Sequence, residues 1–450
     1  MPQLTGYWSL LYQLPIGIIG LSFMVFVHEL GHFLAAKKMG VRVHTFSIGF
    51  GKKLIRVKRG DTEYCLSMIP FGGYVAMAGE NPDEGGYGNT DEFQTKSVPA
   101  RIFIAVAGPA ANILFALALL FGLYLSGVQE PKPGLIVGHV EEKSAGARAG
   151  VLPGDEILAF AGKPMRDWEQ FVQEAALAGA AAQPLEIRRR SALPLTVRDT
   201  TVNLTPEMNV QFGVALTGIL GEWQVSIHQL VPGRPAEKAG LQAGDVIERV
   251  DGTPIPSATA LVDMINGSQG RTLTFAVHRD NKPLEIAVTP AFDRDLKRWM
   301  IGIQPAGIVP TVLVRRNVFE SAEAAAATTW KHATLVFRTF GSLFTGNVQV
   351  KALSGPIGIV QMISGSLQQS TQKFIEFTAL LNTNLGVLNL LPLAITDGGL
   401  ILLLLIEAVR RKPVSARIQG AINRVGMAFF ITVFLFITFQ DILRIPMFLD

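Results

Sequence analysis

A single cysteine, Cys65, occurs in 450 residues, so no intrachain disulfide can form and every domain must hold together without a covalent staple. Charge is also scarce. Asp, Glu, Lys and Arg make up 17% of the chain, where an ordinary soluble domain carries about 25%. The net charge is only +4, which gives a nucleic-acid partner little support. The apolar fraction, by contrast, is high: 49% of residues are hydrophobic. That composition excludes a disordered chain and fits poorly with a soluble enzyme.

The apolar residues gather at the two ends of the sequence, leaving a middle that reads as soluble, with strands, Gly-Asp turns and mixed charge. Four runs approach the ~20 residues that cross a bilayer. They are Leu10 to Ala36, Ile102 to Leu125, Phe377 to Val409 (interrupted from Pro392 to Gly399) and Val425 to Ile442. A cleaved signal peptide is the bland reading of the first run. It fits badly, because no Lys or Arg precedes the run and the run contains His28, Glu29 and His32. Lys37, Lys38, Arg42, Lys52, Lys53, Arg56, Lys58 and Arg59 follow the first run, and Arg410, Arg411, Lys412 and Arg417 follow the third. By the positive-inside rule both loops face the cytoplasm. Both termini and the long middle then lie outside, which in a bacterium means the periplasm. The stretch from Glu320 to Phe344 carries Glu323, Lys331, His332 and Arg338, and reads as a surface or interfacial amphipathic helix.

The middle repeats itself. Ala149-Gly150 through Gly154-Asp155-Glu156-Ile157 matches Ala239-Gly240 through Gly244-Asp245-Val246-Ile247. The register continues to Gly162 and Pro164 against Gly252 and Pro254, at a constant offset of 90 residues. Two copies of one unit follow. The pattern resembles PDZ domains of the bacterial protease type, small β-barrels with two helices that can add an extended peptide to a sheet edge. A PDZ fold acting only as a bulky gate is an equally good reading.

The chemistry lies in the apolar ends. His28-Glu29-Leu30-Gly31-His32 is an H-E-x-x-H motif on a predicted helix. Positions i and i+4 share a face, so both imidazoles can reach one Zn²⁺, with Glu29 beside them as general base towards water. Gly31 keeps that helix surface narrow. An ionisable residue inside a span costs roughly 2.5 kcal/mol or more, which marks function more often than an internal polar cluster that merely packs. Zinc needs a third protein ligand. The other unusual span, Asn389-Leu390-Leu391-Pro392-Leu393-Ala394-Ile395-Thr396-Asp397-Gly398-Gly399, offers Asp397 at matching depth, beside a helix break at Pro392.

With those two motifs, their order and the repeated middle between them, the chain resembles the site-2 protease family along essentially its whole length. Further signatures are Phe46-Ser47-Ile48-Gly49-Phe50-Gly51, Gly72-Gly73-Tyr74-Val75, Ala107-Gly108-Pro109-Ala110-Ala111-Asn112 and Leu353-Ser354-Gly355-Pro356-Ile357. The resemblance implies an intramembrane zinc metalloprotease of the bacterial inner membrane. Its zinc ligands would be His28, His32 and Asp397, and Glu29 its catalytic base. Asn389 and Pro392 match positions that accommodate substrate, and Val41 to Met77 matches membrane-associated β-hairpins. There the Gly72-Gly73 step would let a substrate backbone approach closely, or would simply be a turn. The implied substrate is a single-pass membrane protein already trimmed by a first protease, such as an anti-sigma factor in an envelope stress response, or a remnant signal peptide. The PDZ pair would act as a size filter. Ala394, Thr396 and Leu400 depart from the family's usual Pro, Leu and His, though none is a zinc ligand.

The expected fold class is therefore a polytopic α-helical membrane protein with four transmembrane helices, membrane-associated β-hairpins and two tandem PDZ domains. The expected segments are 1–36 (first span), 37–98 (hairpins), 99–127 (second span), 128–220 and 221–310 (PDZ domains) and 311–375 (amphipathic helices). The broken third span at 376–409, a loop at 410–424 and the fourth span at 425–450 complete the chain. A zinc transporter would not need Glu29 or a PDZ pair, and a catalytically idle PDZ scaffold would not need the metal triad.

Overall fold

The structure, a computed structural model, describes residues 2–80, 88–131, 135–192, 195–209, 213–221, 224–255, 257–279, 282–294, 296–308 and 311–449. The chain forms two compact units. One comprises Met1–Val128, Arg315–Phe340 and Leu353–Asp450, and the other Gln129–Val314 and Gly341–Ala352.

The first unit is built on helices. Helix α1 spans Pro2–Lys38 and leads into strands β1 (Val43–Arg59) and β2 (Thr62–Met77), followed by helix α2 (Val98–Ser126). Later come α3 (Val318–Phe344), α4 (Pro356–Gln369), α5 (Thr371–Leu390), α6 (Asp397–Arg410) and α7 (Ala416–Leu449). Among the described residues, three helical stretches are long and apolar enough to cross a membrane: Pro15–Lys38, Val98–Ser126 and Arg417–Leu443. The third expected span, interrupted from Pro392, comprises two helices, α5 and α6, of 20 and 14 residues.

Proline chemistry explains that division. Pro392 has no N–H to donate and excludes Leu391 from helical geometry; Leu391 is extended, at φ −65° and ψ 143°. The carbonyls freed by the break find a partner in Thr396, whose hydroxyl donates to Leu391 O (2.7 Å) and Leu393 O (3.1 Å). Thr396, a departure from the family pattern, thus closes the break locally. Gly398 and Gly399 allow the tight return: a Cβ there would lie 2.3 Å from Leu390 O and 1.9 Å from Leu393 O respectively.

The two strands form more than a simple hairpin. Val43–Ile48 pairs with Gly73–Met77 along one edge and lies beside Glu63–Leu66 along the other, while Glu63–Leu66 also pairs with Ile55–Lys58. Among the described residues no strand pairs with the far edge of Gly73–Met77. One end of this sheet packs on α1 in a core that includes Ala36, Val43, Phe46, Val75, Phe93 and Ile104. At the other end Leu54, Ile55, Val57 and Met68 are exposed among the basic residues.

Helix α3 has one buried face and one exposed face. Its buried stripe is Ser321, Ala325, Thr329 and Val336, whereas Phe319, Trp330, Phe337 and Phe344 are exposed. Helix α7 exposes Val425, Phe429, Leu435 and Leu443. It is fixed to α4 by Asp441, whose carboxylate accepts the Gly355 and Gly358 N–H groups at 2.9 Å each. A negative charge there also suits the positive end of the α4 dipole.

The second unit confirms the repeat in three dimensions. Strand Glu156–Phe160 and helix Trp168–Ala178 of the first copy correspond to strand Val246–Val250 and helix Ala258–Gly267 of the second. Each copy has its own apolar core, around Phe160, Phe171 and Leu185 in the first and Val250, Leu261 and Phe275 in the second. The same ion pair ties each copy together. Arg189 holds the Asp155 carboxylate with two prongs (2.7 Å each) and donates to Gly150 O at 2.7 Å. Arg279 does the same to Asp245 (2.7 and 2.8 Å) and Gly240 O (2.9 Å). Burial alone would push the Asp245 carboxyl up. The Arg279 guanidinium and the Gln242 N–H outweigh it and hold that carboxyl below the usual carboxylate range.

Candidate metal centre

Helix periodicity puts His28 and His32 on one face of α1, and both are buried. Their rings meet edge to face, with centroids 4.7 Å apart and the Nε2 atoms 3.1 Å apart. Asp397, at the start of α6, turns one carboxylate oxygen to each: Oδ2 lies 3.2 Å from His28 Nε2 and Oδ1 3.3 Å from His32 Nε2. Among the described residues, these three are the ones whose ligand atoms cluster tightly enough to hold one ion. Zinc bonds of ~2.0–2.1 Å at tetrahedral angles set ligand atoms about 3.3 Å apart, close to the spacing of the two Nε2 atoms and of each Nε2 from its nearer carboxylate oxygen. Two imidazoles and a carboxylate suit zinc chemically and leave a fourth position open.

Helix α2 supplies the backing. His32 Nδ1 lies 2.8 Å from the Ile104 carbonyl, an acceptor only, so Nδ1 carries the proton and Nε2 keeps its lone pair. On the other imidazole, the Asn112 amide sits 3.3 Å from His28 Nδ1. With the amide nitrogen in that position, Asn112 Oδ1 is buried without a partner. A His28 that offers its Nε2 lone pair to a metal carries its proton on Nδ1, and with the amide O and N exchanged Asn112 Oδ1 accepts that Nδ1–H. Two glycines permit the close packing. A Cβ on Gly31 would lie 2.3 Å from Ala107 O, and one on Gly108 would lie 2.2 Å from His32 Nε2.

A cavity of about 270 Å³ opens over the three ligand atoms, lined among others by Glu29, Gly73, Tyr74, Val75, Asn389 and Thr396. The Val75 N–H lies within hydrogen-bonding reach of the Glu29 carboxylate. Gly73 is where the sheet edge passes this side chain: a Cβ there would lie 3.2 Å from Glu29 Cγ and 2.7 Å from Ser47 O. Gly72 adopts φ +112° against the Phe50 ring, a conformation that suits glycine. Asn389 reaches inward, with Nδ2 3.5 Å from His28 Nε2. Pro392 is exposed in the helix break and does not line the cavity, so it shapes the turn ahead of Asp397. Glu80 also lines the cavity and accepts the Met77 N–H at 3.2 Å.

The sequence motifs therefore converge, and α2 adds groups that the motifs did not assign. Asn112 had a signal, being an amide inside an apolar span. The Ile104 carbonyl had none, because every residue owns one.

The model of peptidase family M50 matches residues 16–433. A regulator of sigma E protease from Haemophilus influenzae is 34% identical over 450 aligned residues, covering 97% of this chain and 100% of that protein. The regulator of sigma-E protease RseP of Escherichia coli is 32% identical over 457, with the same coverage. A Pasteurella multocida protein, whose name makes it a candidate zinc metalloprotease, is 32% identical over 449. Among solved structures, the PDZ domain of an SdrC-like protein from Listeria monocytogenes aligns with 19% of this chain and 92% of that one, at 24% identity and a TM-score of 0.18.

Proposed function

The chain belongs to peptidase family M50, and we propose that it is an intramembrane zinc metalloprotease whose centre is His28, His32 and Asp397. The observation that carries this reading is the meeting of three ligand residues from opposite ends of the sequence: the two Nε2 atoms lie 3.1 Å apart, and each has an Asp397 carboxylate oxygen within 3.2–3.3 Å. When bound there, Zn²⁺ acts as a Lewis acid that activates water and offsets charge on the reacting carbonyl.

The remaining chemistry belongs to the chain. Glu29 takes a proton from the attacking water on its carboxylate and returns it to the leaving amide nitrogen as the peptide bond breaks. Asn389, pointing into the cavity, holds the substrate backbone. A transmembrane helix hides its peptide bonds in its own hydrogen bonds, so it must unwind before it can be cut. The free edge of Gly73–Met77 offers replacement partners for the released backbone groups.

We read the chain as an inner-membrane protein, a reading supported by three helical stretches long and apolar enough to cross a membrane among the described residues. In our reading four spans cross the bilayer, counting α5 and α6 together. Residues 37–98 and 410–424 face the cytoplasm, and the repeated unit is a periplasmic PDZ pair at 128–220 and 221–310. The substrate class is a single-pass membrane protein pre-trimmed on the outer side, of anti-sigma-factor type, with remnant signal peptides as a second group. The PDZ pair excludes bulky, uncut proteins. Glu29→Gln tests the assignment on a pre-trimmed single-span substrate in detergent, with zinc measured alongside. Retained metal with lost cleavage is expected; retained cleavage rejects the role given to Glu29.

A further inference from the structure

Helix α2 packs against α1, α5 and α6, and one of its contacts lies far from the metal. Arg101, in its first turn, is 5% exposed, which for an arginine demands a partner. That partner is Glu407 on α6. The guanidinium grips its carboxylate with two prongs, Nη2 to Oε1 and Nη1 to Oε2, the latter at 3.1 Å. Arg101 also donates to Lys96 O at 3.2 Å and Gln94 Oε1 at 3.1 Å, so its remaining donors are not idle.

Stability alone is a poor account of such a pair. A buried guanidinium and a partly buried carboxylate cost free energy in desolvation, and well-packed apolar residues hold helices together at least as well. A two-pronged Arg–carboxylate contact adds direction: it fixes the rotation and height of one helix against the other. Helix α6 needs that. The chain is non-helical from Leu391 to Thr396, so no continuous helix from α5 sets the position of Asp397. Glu407 lies ten residues beyond Asp397, about 15 Å along the helix at 1.5 Å per residue. It therefore acts on the centre only through α6.

We propose that the Arg101–Glu407 pair is a positioning device for the metal centre, locking α6 to α2 in the register that carries Asp397 to the imidazoles. One rigid helix then sets all three ligands: His32 through Ile104, His28 through Asn112, and Asp397 through Glu407. The inference rests on the reading of that centre as a zinc site.

The test uses the full-length protein in detergent. Glu407→Gln, Arg101→Lys and the double variant Arg101→Gln/Glu407→Gln are compared with wild type. The readouts are the rate of zinc loss to a chelator, the melting temperature, and kcat and KM on a pre-trimmed single-span substrate. We expect both single variants to lose zinc about tenfold faster, with kcat reduced and KM little changed. The double variant buries no unpaired charge, so its melting temperature should return towards wild type while its zinc loss stays fast. A double variant with wild-type zinc retention and kcat overturns the proposal, since the pair would then only balance charge. If Glu407→Gln fails to fold, the other two variants decide by the same readouts. Wild-type protein that holds no zinc sinks the reading of the centre itself, and this inference with it. Wild type that holds zinc no better than the variants overturns the inference alone.

Discussion

His32 is held by the backbone of Ile104: its Nδ1–H donates to that carbonyl across 2.8 Å, from a residue 72 positions away. The contact chooses the tautomer. It leaves Nε2 as a lone-pair donor aimed at the point where His28 Nε2 and Asp397 also aim. The acceptor is a main-chain group in the second turn of α2, so the choice is built into the helix packing.

Asn112 should do for His28 what Ile104 does for His32. Asn112→Leu removes the acceptor for His28 Nδ1–H and should weaken zinc binding about 10- to 100-fold. Asn112→Asp keeps an acceptor and should hold zinc far better than the leucine variant. Chelator competition on purified protein reads both. Equal retention by the Leu and Asp variants would remove Asn112 from the centre.

Gly108 leaves room for the His32 ring. In Gly108→Ala the new Cβ would lie 2.2 Å from Nε2 and 2.6 Å from Cε1. The ring or α2 must shift, at a cost of roughly 1–3 kcal/mol. We expect a lower melting temperature and less than one zinc per chain by metal analysis. Normal metal content would show that the packing relaxes without moving the ligand.

The second repeat should weaken in acid. The Asp245 carboxyl sits below its ordinary range when folded, whereas in the unfolded chain it titrates near the ordinary ~3.9. Its contribution is therefore complete above that unfolded value and is lost as pH falls towards the folded one. Arg279→Met leaves the Asp245 charge buried and uncompensated, and should cost about 3 kcal/mol at neutral pH. Hydrogen exchange across residues 224–255 and 257–279 of the full chain measures both effects. A second repeat equally protected in the variant and in wild type would contradict this account.

How much of this was readable beforehand depends on how local each signal is. His28, Glu29 and His32 declare themselves, because one helical turn relates them. Asp397 was legible as a costly charge beside a proline break. The repeat was legible because Gly150, Gly154 and Asp155 recur 90 residues later. The order of the sheet was not. Val43–Ile48 sits between Glu63–Leu66 and Gly73–Met77, and alternation along a strand does not say which distant strand lies beside it. Nor was it legible which residues of the α3 stretch face outward, since the exposure of Phe319 and Trp330 depends on neighbours distant in sequence. The contribution of α2 was hidden most deeply. It works through a carbonyl, a glycine's missing side chain and an arginine that reads as a positive-inside marker.

The most direct measurement is zinc bound per chain, with its affinity, for wild type beside Asp397→Ala and Glu29→Gln. One zinc per chain is expected in wild type and in Glu29→Gln, with affinity sharply reduced in Asp397→Ala. Wild-type affinity in Asp397→Ala would contradict the account, because the ion would then be held without the one ligand that comes from the far end of the sequence.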